Sequence, residues 1–248
     1  GIRSFYILPE PPQFRPNSMI TKLDPPYMSD EFMERVRFAV SYAEKLGMTV
    51  WLYDEGGWPS GSACGLVAVR DPAFTLKGLE IDGENHYVRK LSDFRADTLD
   101  SKAMDAFISI THEKYKEYLL PFFGKNVPFI FTDEPYIAKN AWPEGIEERF
   151  MEEYGYDSHE YIPILFSAKK ELAPNEQKAR ADFGMLRGRI FEEKFFNKIR
   201  DWCHENGIYS VGHLDHDHIT KGSEDMGYGS AMSILRCLDV PGIDVICE

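Results

Sequence analysis

The feature that most constrains this chain is a recurring pair. An amphipathic stretch of near-3.6 spacing is followed by a short, unbroken apolar run that ends in polar or acidic residues. Five such runs occur: Ile2 to Leu8, Met48 to Tyr53, Val127 to Phe131, Gly207 to Val211 and Gly242 to Cys247. Continuous runs rich in β-branched and aromatic residues suit strands buried on both faces of a parallel sheet, where a half-exposed strand would alternate. Parallel neighbours need long crossovers, and the intervening helical stretches supply them.

The helices carry their own signals. Ser29 is placed to cap a helix whose first turn holds Asp30 and Glu31, with Phe32, Val36, Val40, Ala43 and Leu46 on one face and Gly47 as its stop. Ser101 opens a second, running through Phe107, Ile110, Tyr115 and Leu119 to Gly124. The longest is expected around Arg187 to Glu205, with Ile190, Phe191, Phe195, Ile199 and Trp202 on one face, and Ala231 to Leu238 leads into the last run. Repeated βα units fit a (β/α)8 barrel or an open doubly wound sheet. The nucleotide-binding form of the open sheet has a Gly-rich turn after its first strand, and the Pro9-Glu-Pro-Pro-Gln-Phe segment is nothing of that kind. The expected fold is therefore α/β, a TIM-type (β/α)8 barrel, and a partial one, because about five strands can be counted where closure needs about eight.

We read residues 1–248 as a single partial barrel domain with two insertions. Residues 76–97 contain two β-prone runs around a Gly turn, predicting a hairpin. Residues 142–182 are charged, with Pro163 and Pro174 as breakers, predicting short helices on the barrel rim. Such insertions sit on βα loops, where specificity is built.

Charge narrows the partners. Against 28 Lys+Arg stand 41 Asp+Glu, a formal charge of −13, which gives nucleic acid no obvious basic face to neutralise phosphates. No apolar run approaches the ~18 residues of a membrane span. No charged-then-apolar leader precedes Gly1, so the compartment stays open with a cytoplasmic leaning. The strand-like opening suggests a cut or processed start, and the expected partners include remaining barrel strands or further domains of a longer parent chain. Cys64, Cys203, Cys237 and Cys247 are scattered without a C-x-x-C pair and are read as buried free thiols.

In a βα barrel the active site lies at the carboxyl ends of the strands, so the residues just after each run are the informative ones. The second run ends Tyr53-Asp-Glu-Gly-Gly-Trp-Pro-Ser-Gly. Asp54 and Glu55 could accept hydrogen bonds from sugar hydroxyls while Trp58 offers an apolar face to pyranose C–H groups; the alternative is a tight turn plugged by Trp58. The third run ends Thr132-Asp-Glu-Pro, followed by Tyr136. A carboxylate at the end of a buried strand has a raised pKa suited to proton donation, which makes Glu134 the best catalytic candidate and Asp133 an orienting neighbour.

The fourth run leads to Gly212-His-Leu-Asp-His-Asp-His. In extended chain His213, Asp215 and Asp217 share one face. They could bind sugar hydroxyls, hold a divalent ion with His218, or form a structural network. The fifth run ends with Asp244 and then Glu248, which could stand across the barrel mouth from Glu134 as the second of the two carboxylates that glycoside hydrolysis requires.

Three stretches resemble a known family: Tyr27-Met-Ser-Asp-Glu-Phe-Met, then Ala43-Glu-Lys-Leu-Gly-Met-Thr-Val-Trp-Leu-Tyr-Asp-Glu-Gly-Gly-Trp-Pro-Ser-Gly, then Phe131-Thr-Asp-Glu-Pro. They are similar to the barrel of bacterial glycoside hydrolases of the α-L-rhamnosidase type, family 106. The likeness is carried by motif over about the first 135 residues and by strand order beyond. It implies a barrel strand upstream of Gly1, so that the run ending at Thr132 is the fourth strand and Glu134 its acid, with Glu248 ending the sixth as base. It also implies an inverting mechanism assisted by Ca2+, acting on an oligosaccharide or glycoside; the exclusion of nucleic acid and membrane rests on charge and the absence of a long apolar run. Tyr53-Asp-Glu and Cys64 depart from the family's usual residues.

Two other classes are kept beside this reading. A metal-dependent hydrolase could centre on His213, Asp215, Asp217 and His218, a segment that partly resembles the H-x-H-x-D-H pattern of metallo-β-lactamase-like enzymes but has Asp215 where that pattern has His. A non-catalytic partial barrel could instead hold sugar or a partner.

Overall fold

The computed structural model describes residues 1–9, 23–83, 85–167, 171–217 and 227–244. His218 and Glu248, the two outermost site candidates, lie outside the described residues, as does the end of the last run.

The chain forms a mixed α/β structure on one parallel sheet. Its strands are β1 (Ser4–Tyr6), β2 (Thr49–Tyr53), β5 (Phe129–Asp133), β6 (Tyr209–His213) and β7 (Val240–Pro241), lying side by side in chain order. Register pairs Tyr6 with Trp51, Tyr53 with Phe131 and Asp133 with His213, so the carboxyl ends of β2, β5 and β6 converge at one edge. Two further strands, β3 (Lys77–Asp82) and β4 (Asn85–Lys90), pair antiparallel as a separate hairpin. The fifth run differs from expectation: β7 is Val240–Pro241, ahead of Gly242, whose N–H still donates to Gly212 O at 2.7 Å, and Pro241 is tolerated in a strand at the edge of the sheet.

Helix α1 (Asp30–Lys45) joins β1 to β2, and Ser29 caps it by accepting from Phe32 N at 3.2 Å. It buries Phe32, Met33, Val36, Val40 and Ala43, whereas Leu46 lies past the last turn and is exposed. After the short α2 (Leu66–Arg70) and the hairpin come α3 (Ser101–Ile110) and α4 (His112–Leu119), two helices where one was expected. They part at Thr111, whose hydroxyl donates to Phe107 O at 2.9 Å, the back-bonding that bends helices. The cap of α3 is Asp100, which accepts from Lys102 N at 2.8 Å, rather than Ser101.

Beyond β5 lie α5 (Ile146–Tyr154), α6 (Ile162–Leu165) and α7 (Pro174–Phe191). Pro174, expected to break structure, instead opens the longest helix. It stands in the first turn, where its missing N–H costs nothing, and Glu176 accepts from Ala173 N at 2.8 Å. A π-helical turn, Glu192–Phe196, connects α7 to α8 (Asn197–Glu205), and α9 (Ala231–Leu235) precedes β7. The long helix therefore starts inside the segment expected to be a rim insertion.

Alternation within the strands gives the sheet two different faces. Val50, Leu52 and Ile130 are buried among the helices. The opposite face carries Tyr6, Trp51, Phe129, Phe131 and Tyr209, half-buried or exposed and linked by ring contacts, Tyr6 to Phe131 at 6.3 Å and Trp51 to Phe129 at 4.7 Å. Cys64, Cys203 and Cys237 are buried, the last two as free thiols. No helix among the described residues is long and apolar enough to cross a membrane.

Candidate active site

The strand ends bring together Tyr53, Asp133, Glu134 and His213. Asp133 and His213 are register partners on adjacent strands, and their side chains meet above the sheet edge. Asp133 Oδ2 accepts from the Tyr53 hydroxyl at 2.6 Å, and Oδ1 lies 2.9 Å from His213 Nε2. Burial would lower the His213 pKa, but the hydrogen bond and charge of Asp133, with the charges of Glu134 and Asp217, raise it from 6.5 to about 9. His213 is therefore a cation at neutral pH.

Glu134 follows directly. It is 6% exposed, and its backbone adopts φ +41°, a left-handed conformation that a residue with a Cβ adopts only under constraint. The Trp58 indole N–H donates to its Oε2. Burial is the chief cause that raises the Glu134 pKa above the usual carboxylate range; the charges of Asp215 and Asp133 add to it, and the Trp58 bond and His213 oppose it. The product is a carboxyl group biased toward its protonated form at the end of a parallel strand. Tyr136 is half-buried beside it, its carbonyl accepting from Thr98 at 2.8 Å and its ring under Arg95 at 4.7 Å.

Asp54 and Glu55 stand elsewhere than expected. Both are fully buried beneath the site. Asp54 accepts from Ser60 Oγ and Thr132 Oγ1, each at 2.6 Å, and burial raises its pKa to about 7 against the pull of those hydroxyls. Glu55 takes four backbone N–H groups: Gly56 and Cys64 on Oε1, Ser62 and Ala63 on Oε2. Burial raises its pKa to about 8, against those N–H groups. The two carboxylates fold the 56–64 loop around themselves and so hold Trp58 over Glu134. Their acceptors face inward and are not offered to a ligand, which removes both from the expected substrate contacts. Gly56 permits this wrapping, since a Cβ there would come within 2.8 Å of Cys64 Cβ.

Of the face expected for His213, Asp215 and Asp217, the His213–Asp217 pair is formed, Nδ1 to Oδ2 3.6 Å, and Asp215 is not part of it. The strand ends at His213, and the chain turns through His216 at φ +56°. Asp217 Oδ2 accepts from Leu214 N at 3.2 Å and Oδ1 from Asp244 N at 3.3 Å, so this side chain braces the loop, while Asp215 pairs with His216 at 2.6 Å. Among the described residues the group with ligand atoms close enough for a metal is instead Asp133, Glu134 and His213, all within 4.8 Å of one another. Its donor set does not fit calcium, which takes about six to eight oxygens. It offers two carboxylates and an imidazole, with both His213 nitrogens already placed against Asp133 and Leu214 O. Tyr53 was not anticipated as a site residue, although its inward position on β2, two residues beyond Trp51, was a readable sign.

A cavity of about 860 Å³ opens elsewhere, among Phe74, Asp97, Trp142 and the hairpin, and shares no lining residue with this cluster.

Residues 83–237, more than half of the chain, match the family described as alpha-L-rhamnosidase, glycoside hydrolase family 106. The chain belongs to the α-L-rhamnosidase family. The matched stretch contains Asp133, Glu134, Tyr136, His213 and Asp215, and does not contain the Trp58 loop that carried part of the resemblance. Among solved structures the chain is similar to a rhamnosidase from Novosphingobium sp. PP1Y, at 19% identity and a TM-score of 0.46, covering 67% of this chain and 15% of that one. The chain thus spans a small part of that rhamnosidase's length. No curated protein matches it.

Proposed function

We propose that this chain forms part of the catalytic domain of a glycoside hydrolase that cleaves an α-L-rhamnoside-type glycoside or oligosaccharide, with Glu134 as general acid. The observation that carries the reading is Glu134 itself: a buried carboxyl group at a strand end, in a strained backbone conformation, tethered by an indole N–H and raised in pKa by burial. A protonated carboxyl group in that state donates its proton to the departing glycosidic oxygen as the C–O bond breaks. The Asp133–His213 pair and Tyr53 fix the floor beside it. Trp58 and Tyr136 supply apolar surface to a sugar ring, and Asp215 supplies polar contacts beside the charge of His213.

The second carboxylate is proposed to be Glu248, on the chain position that follows β7 in the sequence, acting as base on water in an inverting displacement. The sheet is proposed to be an arc of a (β/α)8 barrel. Strands adjacent in chain order support this, because a doubly wound sheet reverses its order at a switch point, and so does an inner face lined with half-buried aromatics. Further strands of the parent protein would complete it. The metal-hydrolase alternative is not favoured, since Asp217 accepts backbone N–H groups of the loop and pairs with His213, while Asp215 pairs with His216.

The test is release of the chromophore from aryl α-L-rhamnosides, with and without calcium, by the protein that carries this chain. Glu134→Gln should reduce turnover by about 10²–10⁴-fold while leaving the melting curve in place. Turnover retained in that variant refutes the assignment.

A further inference from the structure

Arg187 on α7 is 4% exposed, and none of its hydrogen bonds goes to a carboxylate. The guanidinium donates instead to three main-chain carbonyls. Nη1 reaches Lys139 O at 2.5 Å and Ala138 O at 3.4 Å, and Nη2 reaches Gly227 O at 3.1 Å. Ala138 and Lys139 lie on the segment that leaves the site from Glu134, and Gly227 lies between the turn carrying Asp215 and the start of α9. One buried cation therefore joins the loop after β5 to the loop after β6. The Phe166 and Phe183 rings, 5.8 and 5.5 Å from its Cζ, add cation–π contacts, and Nε finds no acceptor.

A seam of glycines makes this reach possible. Gly184, Arg187 and Gly188 occupy neighbouring positions on α7, by their spacing of three and four residues. A Cβ at Gly188 would sit 2.2 Å from Tyr228 O, and one at Gly229, φ +69°, would sit 2.5 Å from Gly184 O. At Gly227, φ +80°, a Cβ would fall 1.8 Å from Arg187 Nη2. The main chain of residues 227–229 thus lies directly on the helix, with the guanidinium threaded beneath it. Burying a charge without a counter-charge costs several kcal/mol, which a protein offsets only where the geometry gained is needed. Packing alone would be served by an apolar side chain.

We propose that Arg187 is a positioning residue of the candidate active site, latching the segment that follows Glu134 to residues 227–229 and so holding the Glu134 carboxyl group in its place at the strand end. Its kinetic consequence rests on the glycosidase reading above; the latch itself does not. The guanidinium fork reaches two loops at once from separate nitrogens, whereas a lysine brings one nitrogen on a shorter side chain to a place where two are used.

The experiment compares Arg187→Met and Arg187→Lys in the protein that carries this chain, by hydrogen exchange of the peptides spanning 136–142 and 227–231 and by kcat and KM on the aryl glycoside it cleaves. In Arg187→Met both segments should exchange on the order of tenfold faster, with α1 and β2 unchanged, and kcat should fall on the order of tenfold with KM little altered. Arg187→Lys should restore protection to one segment and part of kcat; if the Met variant fails to fold, the Lys variant carries the test. Wild-type exchange in both segments overturns the latch. Faster exchange with unchanged kcat overturns the positioning role. Faster exchange in a protein that cleaves no glycoside upholds the latch and removes the glycosidase reading instead.

Discussion

Replacing Glu55 by Gln tests whether the loop that carries Trp58 is folded around a carboxylate. The change is nearly isosteric and removes one acceptor. Each carboxylate oxygen accepts two backbone N–H groups, Gly56 and Cys64 on one, Ser62 and Ala63 on the other. Whichever way the amide turns, its NH2 faces two N–H donors, and both are left unsatisfied in a fully buried place. Each orphaned buried donor costs about 1–3 kcal/mol, so the variant should lose about 4 kcal/mol. For a domain of this size that lowers Tm by about 8–16 °C. Ala63 and Cys64, at φ +50° and +57°, are held in the left-handed region by these same bonds. The assay is thermal unfolding followed by far-ultraviolet circular dichroism, with Trp fluorescence reporting on the Trp58 loop. Above the Glu55 pKa, which burial raises to about 8, the side chain is ionised, and a loss there below about 0.5 kcal/mol would refute the reasoning, because Gln mimics only the protonated acid.

Two further outcomes follow from the same geometry. The His213 ring should titrate near pH 9 by NMR, and Asp133→Asn should bring it down toward 6.5. Because its folded pKa is raised, the stability it contributes is present in full below pH 6.5 and lost as pH climbs through 9, a change of about 3 kcal/mol for a rise of that size. Gly212→Ala should destabilise by at least about 1–3 kcal/mol and disturb the Asp133–His213 pairing, since its Cβ would lie 2.4 Å from Thr132 O on the adjacent strand; a silent substitution, measured by denaturant unfolding, would contradict that close approach.

The repeating βα order, the strands at Met48 to Tyr53 and Val127 to Phe131, the Ser29 cap and the acidic turn after Phe131 were all legible, because each is written within one helical turn or one strand of sequence. Helix and strand periods are local properties of the chain. Pro174 was misread for the same reason in reverse: as a lone residue it reads as a breaker, and only the helix that follows shows it standing in a first turn, where no N–H is needed.

The direction in which a carboxylate faces is of another kind. Asp54 and Glu55 look like any acidic pair beside a tryptophan, and Asp217 looks like one more polar residue after a strand. Their partners are Ser60 and Thr132, four backbone amides of the 56–64 loop, and the amides of Leu214 and Asp244. Thr132 lies 78 residues from Asp54, and Asp133 lies 80 from His213. Arg187 meets carbonyls 48 and 40 residues away. By itself the sequence determined where strands and helices alternate and which strand ends carry acids, since hydrophobic period and capping act over a few residues. Only the tertiary structure decided which acids turn inward to hold a loop and which, like Glu134, stay at the strand end with a raised pKa. Those choices depend on desolvation and on hydrogen-bond donors that the fold brings from far along the chain.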